Sequence, residues 1–345
     1  MPSTRRRAVA LFSGGLDSAL AVCLVRDHGV EVIAFHLVSA FCRQGPEGGV
    51  HPQVVELADE IGVPLHTENA TDQMMDMVRR PAHGFGRHLN PCIDCRIQAF
   101  RRADAYRREI GADFLVSGEV LGQRPMSQTR QALELIDRRT RLGDLLLRPL
   151  SARCFPPTLP EREGWVDRKR LLDLRGRSRT EQLALAAQYR LQAYDSPAGG
   201  CRLTDPEFCA RLQDLVNRET EVQEEDIQLL RTGRHFRLDE RVRVICGRDH
   251  SENLRLEALA RAGDRLFKTV QRPGSVALLR PGDDPCHERT AAGLAVYYSK
   301  NRTASRADVE QRCPGQATGQ GDTLPGVPAV DPGSLVRVGA SVSDE

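Results

Sequence analysis

The sequence predicts an α/β fold: a doubly wound parallel sheet through the first half of the chain, with a smaller α+β domain towards the C-terminus. Three observations carry this. Short apolar runs alternate with stretches of helical spacing across residues 8–117, as strands do when each crosses to the next through a helix. Glycines punctuate the alternation at Gly14, Gly15, Gly29 and Gly62, where strand-to-helix turns and helix stops call for them. A proline cluster at Pro156, Pro157 and Pro160 then separates this half from a second α/β stretch over 233–302.

In chain order, residues 8–12 read as a strand running into Gly14, and 17–28 as a helix stopped at Gly29. Residues 31–38 form the second strand, 52–61 a helix closed by Gly62, and 64–68 the third strand. An arginine-rich helix follows over 92–110, then a strand over 113–117. Ligands of such sheets gather at the carboxyl ends of the strands, which singles out the loops 13–18, 39–49 and 117–128. Beyond the prolines, 168–192 is helical in pattern and 194–206 is a glycine- and proline-bearing loop. The expected organisation is a first domain over 1–155, a helical connecting region over 156–225, a third part over 226–310 and a disordered tail over 311–345.

Of 345 residues, 40% are hydrophobic and 28% charged, the balance of an ordinary soluble chain. No apolar run approaches the roughly 20 residues of a membrane helix, and the short apolar start lacks the core of a secretory signal. No membrane association and a cytoplasmic location are expected. The formal charge of +2 does not by itself call for a nucleic-acid partner, although all basic residues except Lys169, Lys268 and Lys300 are arginine, the better bidentate phosphate ligand. Ten cysteines in such a chain point to metal or thiol chemistry more than to a disulfide framework.

The first glycine loop reads Ser13-Gly14-Gly15-Leu16-Asp17-Ser18. Its glycines let backbone N–H groups approach an anion, and a helix N-terminus favours negative charge there. Ser13 and Ser18 add hydroxyls. Asp17 would repel phosphate unless a divalent cation lies between, which suggests a pyrophosphate bridged by Mg²⁺. The loop lacks the lysine of the GxxxxGK[ST] motif. The plain alternative is a strand-to-helix turn with Asp17 or Ser18 as cap.

This loop resembles the SGGxDS signature of the PP-loop ATP pyrophosphatases, over roughly 7–150 of the chain. The resemblance implies the adenine nucleotide hydrolase-like fold, cleavage of ATP to AMP and pyrophosphate, and transfer of AMP to a carbonyl oxygen. It assigns Ser13, Gly14, Gly15, Asp17 and Ser18 to the phosphates and Mg²⁺, with Asp17 catalytic. By the pattern of the 2-thiouridylases, Gly118 lies against ATP and the backbone near Leu37 against adenine. Glu119 is either a metal ligand or a helix cap, His36 a packed core histidine, and Arg148, Arg177 and Arg179 are phosphate ligands or a solvated face.

Cys92 and Cys95 form a CxxC at the start of the arginine-rich helix, and Cys201 follows two glycines in Pro197-Ala198-Gly199-Gly200-Cys201. Three thiolates do not complete a structural zinc site. They suit a 4Fe–4S cluster with one open iron, or persulfide and disulfide chemistry with the helix N-terminus lowering a thiol pKa. The arrangement is similar to that of PP-loop tRNA thiolases of the 2-thiocytidine and archaeal 4-thiouridine types, which implies Cys92, Cys95 and Cys201 as cluster ligands and catalytic residues. Cys23 and Cys246 read as core residues. Cys42 lies in the loop after the second strand without an assigned role, and Cys154, Cys209, Cys286 and Cys313 show no partner spacing.

Residues 233–302 resemble the RNA-binding domain of the NFACT proteins, through Gly247-Arg248-Asp249 with Asn253, the turn Arg272-Pro273-Gly274, and the helix up to Lys300. At Asp264-Arg265-Leu266-Phe267 the histidine usual in that family is missing. Together the resemblances imply an ATP-dependent tRNA sulfurtransferase that adenylates a base carbonyl and replaces its oxygen with sulfur. Its partners would be tRNA and a sulfide or persulfide donor, and its cofactors ATP, Mg²⁺ and the 4Fe–4S cluster. The rivals are a PP-loop amide- or amine-forming ligase and an RNA-binding factor without thiolation activity.

Overall fold

The computed structural model describes residues 5–42, 49–194, 201–282, 284–299 and 305–339, and the chain divides into two compact units, Met1–Thr204 and Asp205–Glu345. Among the described residues, no helix is long and apolar enough to cross a membrane.

The first unit runs β1 (Arg7–Leu11), α1 (Leu16–Arg26), β2 (Glu31–Val38), α2 (Pro52–Ile61), β3 (Leu65–Asn69), α3 (Thr71–Arg79), α4 (Cys92–Glu109), β4 (Phe114–Ser117), α5 (Arg130–Thr140), β5 (Leu146–Leu147), α6 (Leu159–Arg162) and α7 (Thr180–Gln188). Its described strands pair in parallel in the order β3-β2-β1-β4-β5. Side chains alternate between the two faces. Ala8 and Ala10 of β1 join a core with α1 and α2, whereas Val9, Phe35 and Leu115 join another with Ile97, Phe100 and Ala103 of α4. Helices thus cover both faces, as expected. The chain order reverses between β1 and β4, so the crevice at their carboxyl ends is the topological switch point where such sheets bind ligands.

Two expectations are corrected here. Residues 168–192 are not one helix: Arg168–Arg170 make a single 3₁₀ turn and α7 begins only at Thr180. The intervening chain is extended because its backbone has better partners, Leu172 N donating to Pro149 O at 3.0 Å, Leu174 N to Leu150 O at 2.9 Å and Gly176 N to Leu121 O at 2.7 Å. The connecting region 156–225 is likewise divided, its first part and Cys201 falling in the first unit.

The second unit holds α8 (Pro206–Arg218), α9 (Glu224–Leu229), β6 (Arg234–Arg237), β7 (Arg243–Cys246), α10 (His250–Leu259), β8 (Arg265–Thr269), β9 (Ala277–Arg280), α11 (Pro285–Tyr297), β10 (Arg306–Arg312), β11 (Asp322–Pro328) and β12 (Val336–Val338). Its described strands form an antiparallel sheet in the order β11-β10-β8-β9-β7-β6-β12. Ala291, Leu294 and Ala295 of α11 pack on one face with Phe236, Val244, Phe267 and Leu279. The tail expected to be disordered supplies both edges of this sheet, apart from 340–345, which lie outside the described residues. Pairing, not apolar content, orders it: β11 lies on β10 and β12 on β6. The chain after β11 also seats on α11, where Val330 N donates to Gly293 O at 3.1 Å. A Cβ at Gly293 would stand 2.9 Å from Pro328 O, so only glycine admits this approach.

Candidate functional site

The loop 13–18 opens at the switch point. Gly14 takes a φ of +79°, and a Cβ there would lie 2.7 Å from Val54 Cγ2. The loop is braced from within, Ser18 Oγ donating to Gly15 O at 2.7 Å and Ser13 N to Ser18 Oγ at 3.3 Å. Gly15 precedes α1 and no side chain caps the helix, so neither Asp17 nor Ser18 serves as its cap. Ser18 N donates to Gly15 O at 3.1 Å, and the loop lies at the end of the helix dipole that favours anions.

Asp17 is instead held from other elements. Gln123 Nε2 donates to Asp17 Oδ2 at 2.5 Å and Arg179 Nη2 approaches the same oxygen at 3.3 Å. Gln123 is in turn fixed by Gln182 Nε2, which donates to its Oε1 at 2.9 Å. Asp17 Oδ1 is buried with no hydrogen-bond partner. A buried carboxylate oxygen without a donor is what a hard cation would satisfy. Gln123, Gln182 and the exposed Arg124 went unassigned in the sequence, because their connection to Asp17 is purely tertiary. Desolvation, then the like charges of Arg96 and Arg179, lowers the Arg124 pKa against the pull of Asp17. Arg96, Arg124 and Arg179 therefore form a positive group around the loop.

Gly118, at the end of β4, lies against the loop itself: a Cβ there would be 2.5 Å from Asp17 O and 2.6 Å from Ser18 N. Gly118→Ala is expected to displace Asp17 and Ser18, lowering both the melting temperature and ATP binding. Isothermal titration with ATP and a melting curve check this, and wild-type affinity in the variant would refute it. Leu37 is half-buried at the edge of the core under α4. His36 is packed as expected, with Nδ1 2.7 Å from Phe12 O and desolvation lowering its pKa.

Glu119 is no helix cap. It is buried and ion-paired to Arg148 at 2.9 Å, with Arg96 at 3.8 Å. Arg148 is corrected as a phosphate ligand, because its guanidinium is engaged by Glu119 and by Asp137 at 2.7 Å. Arg177 is exposed, and of the three arginines only Arg179 reaches Asp17.

Cys92 opens α4 directly after Pro91, and Cys95 N donates to Pro91 O at 2.9 Å. Asp94, between them, is buried and accepts from His83 N at 3.1 Å with His83 Nδ1 at 2.6 Å, which pins the chain before the helix. Cys201 pairs with Cys42 in an isolated antiparallel bridge. The glycines 199 and 200 lie outside the described residues. No lowered thiol pKa results from the helix N-terminus: desolvation pushes Cys92 up despite Arg96 and Arg124, and pushes Cys95 up to about 12. Cys201 is raised by desolvation and then by Cys42, Cys95 and Cys92. The four thiols thus share one neighbourhood, although among the described residues no three His, Cys, Asp or Glu side chains are grouped to hold a single metal ion. Alkylation of the apo chain at pH 8 should label exposed Cys286 well before Cys95, as peptide mass spectrometry over time would show; the reverse order would contradict the burial. Cys23 and Cys246 are core residues, as expected.

In the second unit the sequence motif serves the fold. Asp249 caps α10 by accepting from Glu252 N at 2.9 Å, and Asn253 joins two turns, with Nδ2 donating to Gly274 O at 3.0 Å and Oδ1 accepting from Val276 N at 2.9 Å. Asp264 is buried against Arg280 at 2.6 Å and Phe267 is in the core.

Residues 3–153 match the family model of the thiamine biosynthesis protein ThiI, and residues 233–325 that of the NFACT protein RNA-binding domain. The tRNA-specific 2-thiouridylase MnmA of Trichlorobacter lovleyi is 32% identical over 118 residues, covering 33% of this chain and 33% of that protein. The "Probable tRNA sulfurtransferase" of Thermococcus kodakarensis is 27% identical over 147 residues, 43% of this chain and 37% of that protein. A solved 4-thiouridine synthetase–RNA complex with bound ATP is 21% identical, with a TM-score of 0.36, over 54% of this chain and 52% of that one. The chain spans about a third of the length of the curated relatives it matches. With the SGGxDS loop seated at the switch point of a parallel sheet, residues 3–153 are similar to the PP-loop family of ThiI, and residues 233–325 to the NFACT RNA-binding domain.

Proposed function

We propose that this chain is an ATP-dependent tRNA sulfurtransferase of the cytoplasm. The observation that carries the reading is the SGGxDS loop at the switch point of a parallel sheet, with the buried Asp17 Oδ1 left without a partner. A phosphate-binding loop in the same unit as the CxxC that heads α4 suits a reaction that activates an oxygen and then replaces it with sulfur. The α1 N-terminus and the loop hydroxyls would bind the β- and γ-phosphates, with Ser13, Gly14, Gly15, Asp17 and Ser18 in the roles the sequence suggests. Gly118 and Leu37 would border the nucleotide.

The orphaned Asp17 Oδ1 fits Mg²⁺. The donor set of Cys92, Cys95 and Cys201 fits an iron–sulfur cluster, whose corners spread the ligands wider than a single ion would. Bound there, a 4Fe–4S cluster supplies an iron that can take up sulfur from a sulfide or persulfide donor. The base carbonyl oxygen attacks the α-phosphate and pyrophosphate leaves, with Arg96, Arg124 and Arg179 offsetting the charge on the phosphates. Sulfur then adds at the activated carbon and AMP departs with the original oxygen. The second unit would contribute the tRNA contact.

Anaerobic purification with iron and sulfide assays, RNA-dependent ATP–pyrophosphate exchange, and nucleoside mass spectrometry on wild type and Cys95→Ala test this. Roughly four irons per chain, with thiolated nucleoside lost in the variant and exchange retained, is the expected result. Thiolation indifferent to Cys92, Cys95 and Cys201 would end the reading in favour of amide or amine formation. Absence of any exchange would leave an RNA-binding factor.

A further inference from the structure

The fold divides the Asp17 carboxylate between two uses. Oδ2 accepts from Gln123 Nε2 at 2.5 Å and from Arg179 Nη2 at 3.3 Å, while Oδ1 stays buried and unpartnered. Both donors trace to one element. Arg179 immediately precedes α7, and Gln182, in the first turn of that helix, donates from Nε2 to Gln123 Oε1 at 2.9 Å. Gln182 is only 1% exposed, and an amide so deeply buried is costly unless its hydrogen bonds are made. A methionine would fill the same space without that demand. What the amide adds is direction. A primary amide has an acceptor at one end and a donor at the other, so Gln182, by engaging Oε1, turns the NH₂ of Gln123 towards Asp17. The bonds then run one way, from Gln182 through Gln123 to Oδ2, an arrangement in which successive hydrogen bonds strengthen one another. The helix that carries Gln182 is itself fixed along α1. Ala186 of α7 and Leu191 just after it share the core of Leu20 and Leu24, and Tyr189 Oη donates to Asp27 Oδ2 at 2.6 Å where both helices end. Gln192 N and Ala193 N donate to the Glu60 carboxylate of α2 at 2.9 and 3.1 Å.

We propose that Gln182 is a positioning residue for the divalent cation that accompanies ATP: by fixing the Gln123 amide it holds Oδ2 and leaves Oδ1 turned to the metal. This rests on the nucleotide reading above. α7 lies beyond residues 3–153, so the resemblance to the PP-loop family assigns Gln182 no role. A hydrogen-bond partner behind a metal ligand sets its orientation, and losing one typically weakens metal binding by roughly 10–100-fold. That effect is measurable without turnover.

The full chain is prepared as wild type, Gln182→Met, Gln123→Met, the double variant and Leu183→Ala, the last altering an exposed side chain of the same helix. ATP binding is measured by titration calorimetry in EDTA and again with Mg²⁺ in excess, with a melting curve for each protein. Wild type should bind ATP more tightly with Mg²⁺. Gln182→Met should lose roughly tenfold or more of that affinity in Mg²⁺ and none in EDTA, whereas Leu183→Ala should match wild type in both. The double variant should bind no more weakly than Gln123→Met alone, because the two amides act as one chain. Gln123→Met carries the test from the loop side should Gln182→Met not fold. A folded Gln182→Met with wild-type affinity in Mg²⁺, or with an equal loss in EDTA, overturns the proposal and leaves the nucleotide site standing. So does a wild type that binds ATP equally with and without Mg²⁺. A wild type that binds no ATP at all removes the nucleotide reading, and this proposal with it.

Discussion

Asp226→Ala should lower the stability of the second unit by about 3–5 kcal/mol, the usual effect of removing one partner from a buried ion pair. Asp226 sits in α9 with no exposed surface, and its carboxylate is within 2.6 Å of Arg243, 2.8 Å of Arg280 and 3.0 Å of Arg261. Arg280 retains Asp264 at 2.6 Å, but Arg243 retains only Glu219, at 3.8 Å. The variant therefore leaves a buried guanidinium short of counter-charge. Desolvation pushes the Asp226 carboxyl up, yet Arg243, Arg280 and Arg261 outweigh it and hold the pKa below 3.8. The stabilisation is thus fully present above the unfolded value and is lost as pH falls through the lower folded one. Urea melts of wild type and variant at neutral pH, repeated towards pH 2, check both points: the gap should narrow in acid. Coincident melts at neutral pH would show that the network carries no net stability.

Asp17→Asn should reduce RNA-dependent ATP–pyrophosphate exchange roughly 10²–10³-fold, the range found when one preorganised electrostatic group is removed, with almost no change in melting temperature. The substitution keeps an oxygen to accept from Gln123 and Arg179, so the loop stays anchored. What it removes is the negative charge beside the buried, unpartnered oxygen. Exchange should stay low when Mg²⁺ is raised, because the ligand and not the ion is missing. Exchange near wild type would reduce Asp17 to a structural link between the loop, Gln123 and Arg179.

The sequence disclosed whatever is written in one contiguous stretch. The loop 13–18 joins a strand to a helix without interruption, and the CxxC heads α4, so local period and spacing were enough to place both. The partners of those residues were not legible in the same way. Gln123 and Arg179 reach Asp17 across more than a hundred residues of chain, and Gln182 reaches Gln123 across 59. Arg148 has a phosphate ligand's chemistry in the sequence and is occupied by Glu119 and Asp137 in the fold. The tail failed for a related reason. Asp322–Pro328 contains two prolines and a glycine, poor strand formers by themselves, and takes its conformation from β10.

The order of the seven-stranded sheet bears on how the protein is made. The strands at its two edges, β11 and β12, are the last two of the seven in the chain. A ribosome therefore releases β6 and β10 before anything exists to cover their outer sides, and exposed strand edges invite pairing with other chains. The first unit is complete well before this point and can fold while the second is still being translated. The vulnerable interval falls between the emergence of Arg312 and that of Val338, and a nascent chain held there would need an external factor to shield two open edges at once.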